Sequence, residues 1–494
     1  MPSYLSPGVY LEEVPSGVQP LEGVGTSTGA FVGRAERGVL DTPVLITNFT
    51  QFVTEFGSFM ETGYLAYAVY SFFAEGGSRC YVVRVAASDA AKATMTIADG
   101  TDTDLFTVDA ASAGTWGNSL KLTIADPSSA SATTHFKMVI QDGDRIEEFD
   151  NLSLDSIESK VNGISTLVTV HRLAATSGRP ANGTLSFPES GETGAGSDGT
   201  GTVDYTGTSS NRKGLSAFDV IDDINIVAIP DIAGQRSDIL TAMTYCDNRK
   251  DCFFLVDPPK ALAPTAVSTF KSGTGAYTGQ AFDSPNAALY YPWVMIQNPV
   301  SKVTITVPPS GVVAGTFSAT DSLRGVHKAP AGTSDGYLNS VVGIERLVTK
   351  GEQDVLNPSG INVIRSFPGS GIAIWGARTL SSMAEWRYVN VRRLMMYIKE
   401  SLDAGTQFVV FEPNSPVLWG QVRRTISAFL TRVWRDGALF GTKPEEAFFV
   451  KVDEENNPQE VRDAGQLVIE VGVAPVKPAE FVIIRISQQT QSTN

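Results

Sequence analysis

The stretch PVLWGQVRRTISAFLTRVWR, residues 416–435, predicts a long amphipathic helix. Apolar residues recur in it at intervals of three and four, which places them on one helical face. These inward positions are Leu418, Val422, Ile426, Phe429 and Val433. The opposite face carries Arg424 and Arg435, so the sequence predicts a helix that packs on one side and presents a basic surface on the other.

Other helices and strands alternate with this one. Residues 384–403 repeat the helical pattern, and FVVFEP (408–413) between the two helices is typical of a strand. The runs GAFVGRA (29–35) and GIAIWGARTL (371–380) are apolar enough for buried strands. The predicted fold class is α/β (α+β), with a C-terminal core domain that contains a mixed sheet and flanking helices.

A β-rich block interrupts the α/β pattern between residues 88 and 214. Short alternating segments separated by Asp, Gly and Ser turns indicate antiparallel strands there. The block holds 17 acidic and 9 basic residues, and it closes with a stretch (189–214) in which 16 of 26 residues are Gly, Ser or Thr. We therefore predict an inserted, outward-facing β-rich domain that returns through a flexible segment.

The two ends of the chain have the same design. A strand-like run, GVYLEEV (8–14), lies between Pro7 and Pro15, and FVIIRI (481–486) follows two further prolines. A single strand is not stable alone, so each run must pair with something outside itself. The sequence predicts extended N- and C-terminal β-strand arms.

The length of 494 residues exceeds what one hydrophobic core usually supports, so several parts are expected. We divide the chain into six. They are an N-terminal arm and linker (1–22), the first part of the core (23–87), the inserted domain (88–214), the middle part of the core (215–370), the C-terminal α/β core (371–474) and the C-terminal arm (475–494).

Bulk properties exclude several classes of protein. The net charge of −15 and the lack of any long basic run argue against nucleic-acid binding. No basic residue precedes an apolar leader and no apolar run reaches membrane-spanning length, so we expect synthesis in the cytoplasm and no membrane contact by this chain. Three scattered cysteines predict buried thiols and neither a disulfide framework nor a zinc site.

The sequence offers weak catalytic motifs only. Gly332–Gly336 fits G-x-S-x-G around Ser334, but a turn precedes it where a nucleophile elbow requires a strand. Three histidines lie far apart along the chain and indicate no metal or general-base cluster. We therefore predict no catalytic residue, no cofactor and no metal. An α/β enzyme with a β insertion stays open as an alternative.

Basic residues concentrate between Arg378 and Arg435, where nine stand against four acidic ones. This local excess in an acidic chain favours contact with an acidic partner. A solvated helix face is the other interpretation of the same pattern.

Several stretches resemble one known family, that of contractile tail sheath proteins from phage tails and related injection particles. The resemblance covers both ends and the α/β body, is weaker over 260–370, and does not extend to 88–214. Its stretches are SPGVYLEEVPSG (6–17), GVGTSTGAFVG (23–33), LRGVHKAPAG (323–332), WGARTL (375–380), YVNVRRL (388–394), GTQFVVFEPN (405–414) with LW (418–419), ENNP (455–458) and VGVAPVKPAEFVIIRI (471–486).

The resemblance implies a structural subunit that polymerises as stacked hexameric rings around an inner tube and contracts to drive the tube through a target envelope. Implied partners are copies of the chain, the inner tube protein, and baseplate and tail terminator proteins. A non-contractile surface protein is a further alternative. The arm residues implied to pair with neighbours are Gly8, Val9, Tyr10, Leu11, Val14, Phe481, Val482, Ile483, Ile484 and Ile486. We assign contact with the inner tube to Arg423, Arg424, Arg432 and Arg435.

Overall fold

The computed structural model describes residues 21–174, 178–481 and 483. These residues form two compact units. The larger unit comprises residues 26–324 and 329–392, and the smaller comprises residues 21–25, 325–328 and 393 onward.

Strands are numbered in chain order over the described residues. They are β1 (Gly29–Arg34), β2 (Val44–Ile46), β3 (Cys80–Val85), β4 (Thr94–Ala98), β5 (Asp104–Ala110), β6 (Lys121–Ala125), β7 (Phe136–Asp142), β8 (Arg145–Leu152), β9 (Val168–Arg172), β10 (Gly183–Ser186), β11 (Ile226–Ala228), β12 (Phe253–Val256), β13 (Ala287–Tyr291), β14 (Val294–Gln297), β15 (Thr304–Val307), β16 (Val341–Ile344), β17 (Ile361–Phe367), β18 (Gly371–Ile374), β19 (Phe448–Lys451) and β20 (Glu470–Val473).

Helices are numbered in the same way over the described residues. They are α1 (Phe49–Phe56), α2 (Leu65–Ala74), α3 (Ile157–Val161), α4 (Arg236–Arg249), α5 (Pro264–Ser272), α6 (Ser310–Arg324), α7 (Gly332–Asp335), α8 (Lys350–Leu356), α9 (Val389–Thr406), α10 (Pro416–Arg435), α11 (Pro444–Ala447) and α12 (Gln459–Asp463).

An eight-stranded mixed sheet organises the larger unit, in the order β18-β17-β13-β12-β11-β1-β3-β2. Its six central strands run parallel, and β18 and β2 run antiparallel at the two edges. Strands such as β12 (FFLV) and β13 (AALYY) are buried along their whole length, as strands covered on both faces must be. The mixed sheet predicted for the C-terminal core therefore lies in the larger unit instead.

Helix α6 lies against α2 at a distance that only glycine permits. A Cβ atom placed on Gly311 would come within 2.4 Å of the Cα atom of Ala68. The side chain is therefore absent at Gly311, where the backbones of α6 and α2 approach each other closely.

A separate three-stranded antiparallel sheet, β15-β14-β16, follows β13 in the same unit.

Residues 94–186 form two antiparallel sheets, β4-β5-β9 and β10-β6-β7-β8. The two sheets share a buried core distinct from that of the eight-stranded sheet, and Phe106 stacks on Phe136 within it with ring centroids 5.9 Å apart. The predicted antiparallel β structure of this region is confirmed. Its outward orientation and the boundaries 88 and 214 stay predictions.

Helix α10 packs into the core of the smaller unit together with the two-stranded antiparallel sheet β19-β20. Its bounds and its five predicted inward residues match the sequence analysis, since all five are buried. The strand predicted at 408–413 is wrong: Gln407–Val409 is a short 3₁₀ helix, and a turn follows it.

Candidate assembly surfaces

Among the described residues, no further strand pairs with either outer edge of the two-stranded sheet β19-β20 in the smaller unit. Phe448 pairs with Val473 and Lys451 with Glu470, and the Ala474 N–H donates to the Ala447 carbonyl at 2.8 Å. In an antiparallel ladder, this bond makes Phe448–Val473 a pair whose N–H and C=O groups point outward. Of these outward groups, the Phe448 N–H donates to the Pro444 carbonyl at the end of α11. Among the described residues, the Phe448 carbonyl and the backbone groups of Val450, Val471 and Val473 make no backbone hydrogen bond.

The inner face of this sheet is fixed to the core of its unit. The alternate residues Phe448, Val450, Val471 and Val473 are partly buried against that core. On the outer face the Phe449 ring crosses Gly472, where an added Cβ would lie 2.1 Å from the ring. The sheet is thus rigidly placed while its edges stay open for another strand.

The described residues near both ends of the chain are held in the smaller unit by hydrogen bonds. Leu21 is buried in the unit's core, and its carbonyl accepts a hydrogen bond from Arg432. Three residues on, the Val24 N–H donates to Ser401 Oγ at 3.2 Å. At the other end, the Val476 N–H donates to the Ala438 carbonyl at 3.1 Å.

Most of the predicted arm residues cannot be compared with the structure. Gly8, Val9, Tyr10, Leu11, Val14, Val482, Ile484 and Ile486 lie outside the described residues. Phe481 and Ile483 are described, and both side chains are exposed. Pairing of either arm with a neighbour stays a prediction.

The four arginines assigned to the inner tube divide into two pairs. Arg423 donates to the Val452 carbonyl and Arg432 to the Leu21 carbonyl, so both guanidinium groups hold their own subunit together. Arg424 and Arg435 are exposed, and neither has a hydrogen-bond or ion-pair partner among the described residues. Sequence reasoning could not separate the pairs, because the acceptors are backbone carbonyls distant in the chain.

Part of the local basic excess is also internal. Arg378 and Arg393 are buried. Arg392 donates to Asn286 Oδ1 at 2.6 Å and lies over the Trp386 ring, and burial lowers its pKa. Lys399 pairs with Glu400 at 3.0 Å. The sequence count therefore exceeds the free positive charge at the surface.

The enzyme alternative requires convergent titratable groups, and the carboxyl ends of parallel strands are where they would be sought. Two carboxyl groups, the partly buried Asp231 and the buried Asp257, lie just beyond β11 and β12. Asp231 accepts the N–H groups of Arg34 and Tyr64, each at 2.6 Å, and Asp257 accepts that of Ser310 at 2.9 Å. Burial raises the pKa of Asp231 to about 6 and that of Asp257 to about 7. Both carboxylates therefore serve to join loops and helix ends to the sheet.

The sequence motif around Ser334 lacks the geometry of a nucleophile elbow. Its residues form α7, a single helical turn that no strand precedes, and Ser334 Oγ donates to Asp335 Oδ2 at 3.0 Å. Over the described residues, no group of three or more His, Cys, Asp or Glu could hold a metal ion. In the same part of the chain no helix is both long and apolar enough to cross a membrane.

The β19-β20 sheet lies in the unit that also contains Leu21 and Val476, near the two ends of the described chain. The phage tail sheath protein central domain matches residues 200–380, and the phage tail sheath C-terminal domain matches residues 381–489. Together these matches cover more than half of the chain. The chain belongs to the contractile tail sheath protein family.

Relatives and solved structures agree with this family. The tail sheath protein of Vibrio phage KVP40 is 28% identical over 251 residues, which are 48% of this chain and 36% of that protein. The chain thus spans about a third of that relative's length. A contracted anti-feeding prophage helical sheath is 25% identical, with a TM-score of 0.60 over 99% of this chain and all of that chain.

The contracted PVC sheath complex of an extracellular contractile injection system has the same fold. Its TM-score is 0.62 at 24% identity over 99% of both chains. The likeness extends over nearly the whole chain. It therefore includes the two sheets of residues 94–186 and also the smaller unit.

Proposed function

We propose that this chain is the structural subunit of a contractile sheath, in a phage tail or an injection particle. Subunits form hexameric rings that stack helically around an inner tube, and contraction drives the tube through a target envelope. The protein assembles in the bacterial cytoplasm together with baseplate and tail terminator proteins. The observation that carries this proposal is the pair of open edges of the β19-β20 sheet.

The open edges suit strand addition by neighbouring subunits. The run Gly8–Val14 of one neighbour pairs along one edge, and Phe481–Ile486 of another neighbour pairs along the other. Each net hydrogen bond contributes only about 0.5–1.5 kcal/mol. Every subunit makes several such joints, so the resulting mesh can shear during contraction while its connections persist.

Contraction needs no catalytic group in this scheme. The extended sheath is metastable, and contacts formed between subunits on contraction supply the energy. The chain's own role is to hold its neighbours through backbone ladders whose geometry tolerates rotation of one subunit relative to the next.

The proposal is tested by electron microscopy of the purified protein. Long hollow tubes of the contracted kind are the expected product, because tube-free subunits have only the contracted state to reach. Monodisperse monomers that no partner drives into polymers would contradict the proposal. Polymers of this chain that enclose the inner tube but do not shorten when contraction is triggered would favour a non-contractile structural protein.

The basic face of α10 is the proposed contact with the inner tube, through Arg424 and Arg435. Exposed pairs of this kind are individually weak and are screened by salt. Reversal of both residues to glutamate should impair extended assembly around the tube and spare tube-free polymers. Arg423→Glu and Arg432→Glu form the contrasting pair: they remove internal bonds, so they should lower the melting temperature as well.

A further inference from the structure

A tight turn between α9 and α10 holds a large aromatic residue in a conformation that favours glycine. The Glu412 N–H donates to the Val409 carbonyl at 3.1 Å, which closes the turn. Val410 has φ −66° and ψ 127°, and Phe411 has φ 68°. These angles define a type II turn, whose third position normally requires glycine. A bulky side chain there costs on the order of 1 kcal/mol.

Packing within the subunit does not explain the aromatic residue. The Phe411 side chain is fully exposed, and the neighbouring Val410 is 59% exposed. The Phe411 ring therefore contributes no packing to the core, although the Phe411 backbone is strained. A residue that costs stability and contributes no packing is typical of a position selected for contact with another molecule.

The turn is fixed to the start of α10 by a side-chain network. Asn414 Oδ1 accepts a hydrogen bond from the Trp419 indole N–H at 2.7 Å, and Asn414 Nδ2 donates to the Gln466 carbonyl at 2.8 Å. Trp419 is itself buried in the core of the unit. The turn is thus held in place relative to the helix.

The turn lies shortly before α10 in the chain, and the exposed face of that helix carries Arg424 and Arg435. Val417, at the first turn of the helix, is 80% exposed. Arg424, Ala428 and Arg435 follow it at about two, three and five helical turns, so all four side chains lie on one face. The helix contains no acidic residue. A partner that meets the two arginines therefore meets Val417 also.

We propose that Phe411, with Val410 and Val417, is an apolar anchor that docks in an apolar recess beside the acidic surface contacted by Arg424 and Arg435. The occupant is the inner tube, and the inference rests on the proposed function to that extent. Charge complementarity selects an acidic partner, and continuity along one helix face assigns the same partner to the anchor. The aromatic contact adds salt-insensitive binding to a contact otherwise made of screened charges.

Two substitutions separate an anchor from a structural turn. Phe411→Ala removes the ring and keeps a side chain at the strained position. Phe411→Gly removes the ring and also relieves the strain, so its melting temperature should equal or exceed that of the wild type. Val39→Ala, at an exposed valine of the larger unit, is the control.

The variants are introduced into the intact particle, and sheath-covered extended tails are counted by electron microscopy at low and at high salt. Both Phe411 variants should reduce that count about tenfold at high salt, where screening leaves the apolar contact dominant; this is the fold-change from one lost aromatic contact. Tube-free polymers of the same variants should match the wild type.

Four results would overturn the inference. Normal extended tails from both variants at high salt would show that the ring has no partner, and the proposed function would stand. Equal loss of tube-free polymers would assign the anchor to a second copy of this chain. A lower melting temperature for Phe411→Gly would make the residue structural. Failure of the wild type to enclose any tube would remove the proposed function and the anchor together.

Discussion

The sheets of residues 94–186 and the β19-β20 sheet differ in whether the backbone groups at their outer edges are hydrogen-bonded. Outer-edge N–H groups of β9 are satisfied by side chains of its own region. Asn162 accepts the Val170 N–H at 2.7 Å and donates to the Val170 carbonyl at 2.8 Å, and Glu158 accepts the Arg172 N–H at 2.9 Å. On the β19-β20 sheet the Phe448 N–H donates to the Pro444 carbonyl, whereas the outward groups of Val450, Val471 and Val473 have no hydrogen-bond partner among the described residues.

This difference shows how the chain controls association. An exposed strand edge is a template for pairing with any other strand, and proteins usually block it with side chains or charge. The chain blocks the edge of β9 and places glutamates along β8, another outer strand of the same region. It leaves backbone groups unpaired in the one unit that also holds the roots of both terminal segments.

Deletion of residues 2–14 should have the largest effect on assembly. The subunit should stay soluble and melt within a few degrees of the wild type, because the described core begins at Leu21. Long tubes should disappear, since one open edge loses its strand. Thermal melting and electron microscopy measure the two effects. An unfolded subunit would mean that the strand belongs to its own core.

Val471→Pro should prevent an added strand from pairing with the outer edge of β20. The Val471 N–H points away from β19, so proline removes no ladder bond of the isolated subunit but cannot donate to an added strand. Tubes should shorten or vanish at a modest cost in stability. The matched control is Val170→Pro, which breaks the bond to Asn162 and should destabilise its own region while polymers still form. Equal assembly defects from both would erase the contrast between the two edges.

Asn162→Ala should have a smaller effect, confined to stability. It leaves both the N–H and the C=O of Val170 without their edge partner, which costs about 1–3 kcal/mol. Urea unfolding measures the loss. If the newly opened edge causes lateral association of the polymers, the capping is confirmed as protection against pairing. An unchanged unfolding midpoint would remove that role.

Excision of the inserted region should affect assembly least. Ala87 already pairs with Val203, and the Ser88 N–H donates to the Thr202 carbonyl at 3.0 Å. A two-residue glycine turn can therefore replace residues 89–201 and close a hairpin there. The Arg84 guanidinium loses its bond to the Ala113 carbonyl, so a small stability loss is expected. Loss of tubes would place the insertion in the contractile mesh.

The fold was predictable where a periodic pattern is long. Twenty residues of α10 fix a helix and its buried face, and the prediction of its bounds is confirmed. The order of strands in the eight-stranded sheet was not predictable, because β1 pairs with β11 across the whole inserted region. Pairing at that separation leaves no trace in local composition.

The failed strand at 408–413 has a specific cause. Its apolar, β-branched residues satisfy strand propensity, but none of them pairs with another strand, and a 3₁₀ helix and a turn connect α9 to α10 instead. Phe411 lies in that turn with a positive φ. Of the four candidate arginines, only the long-range carbonyl partners distinguish Arg423 and Arg432 from Arg424 and Arg435.

In the proposed sheath, the bond between Arg432 and the Leu21 carbonyl would transmit force from the N-terminal segment to α10. A pull on the N-terminal segment enters the subunit at Leu21 and reaches α10 directly, without crossing the eight-stranded sheet. The helix that takes this load is the one whose free face carries Arg424 and Arg435. Under the proposed contact of these two arginines with the inner tube, tension from a neighbouring subunit would act first on that contact, and release of the tube would be coupled to movement of the ring.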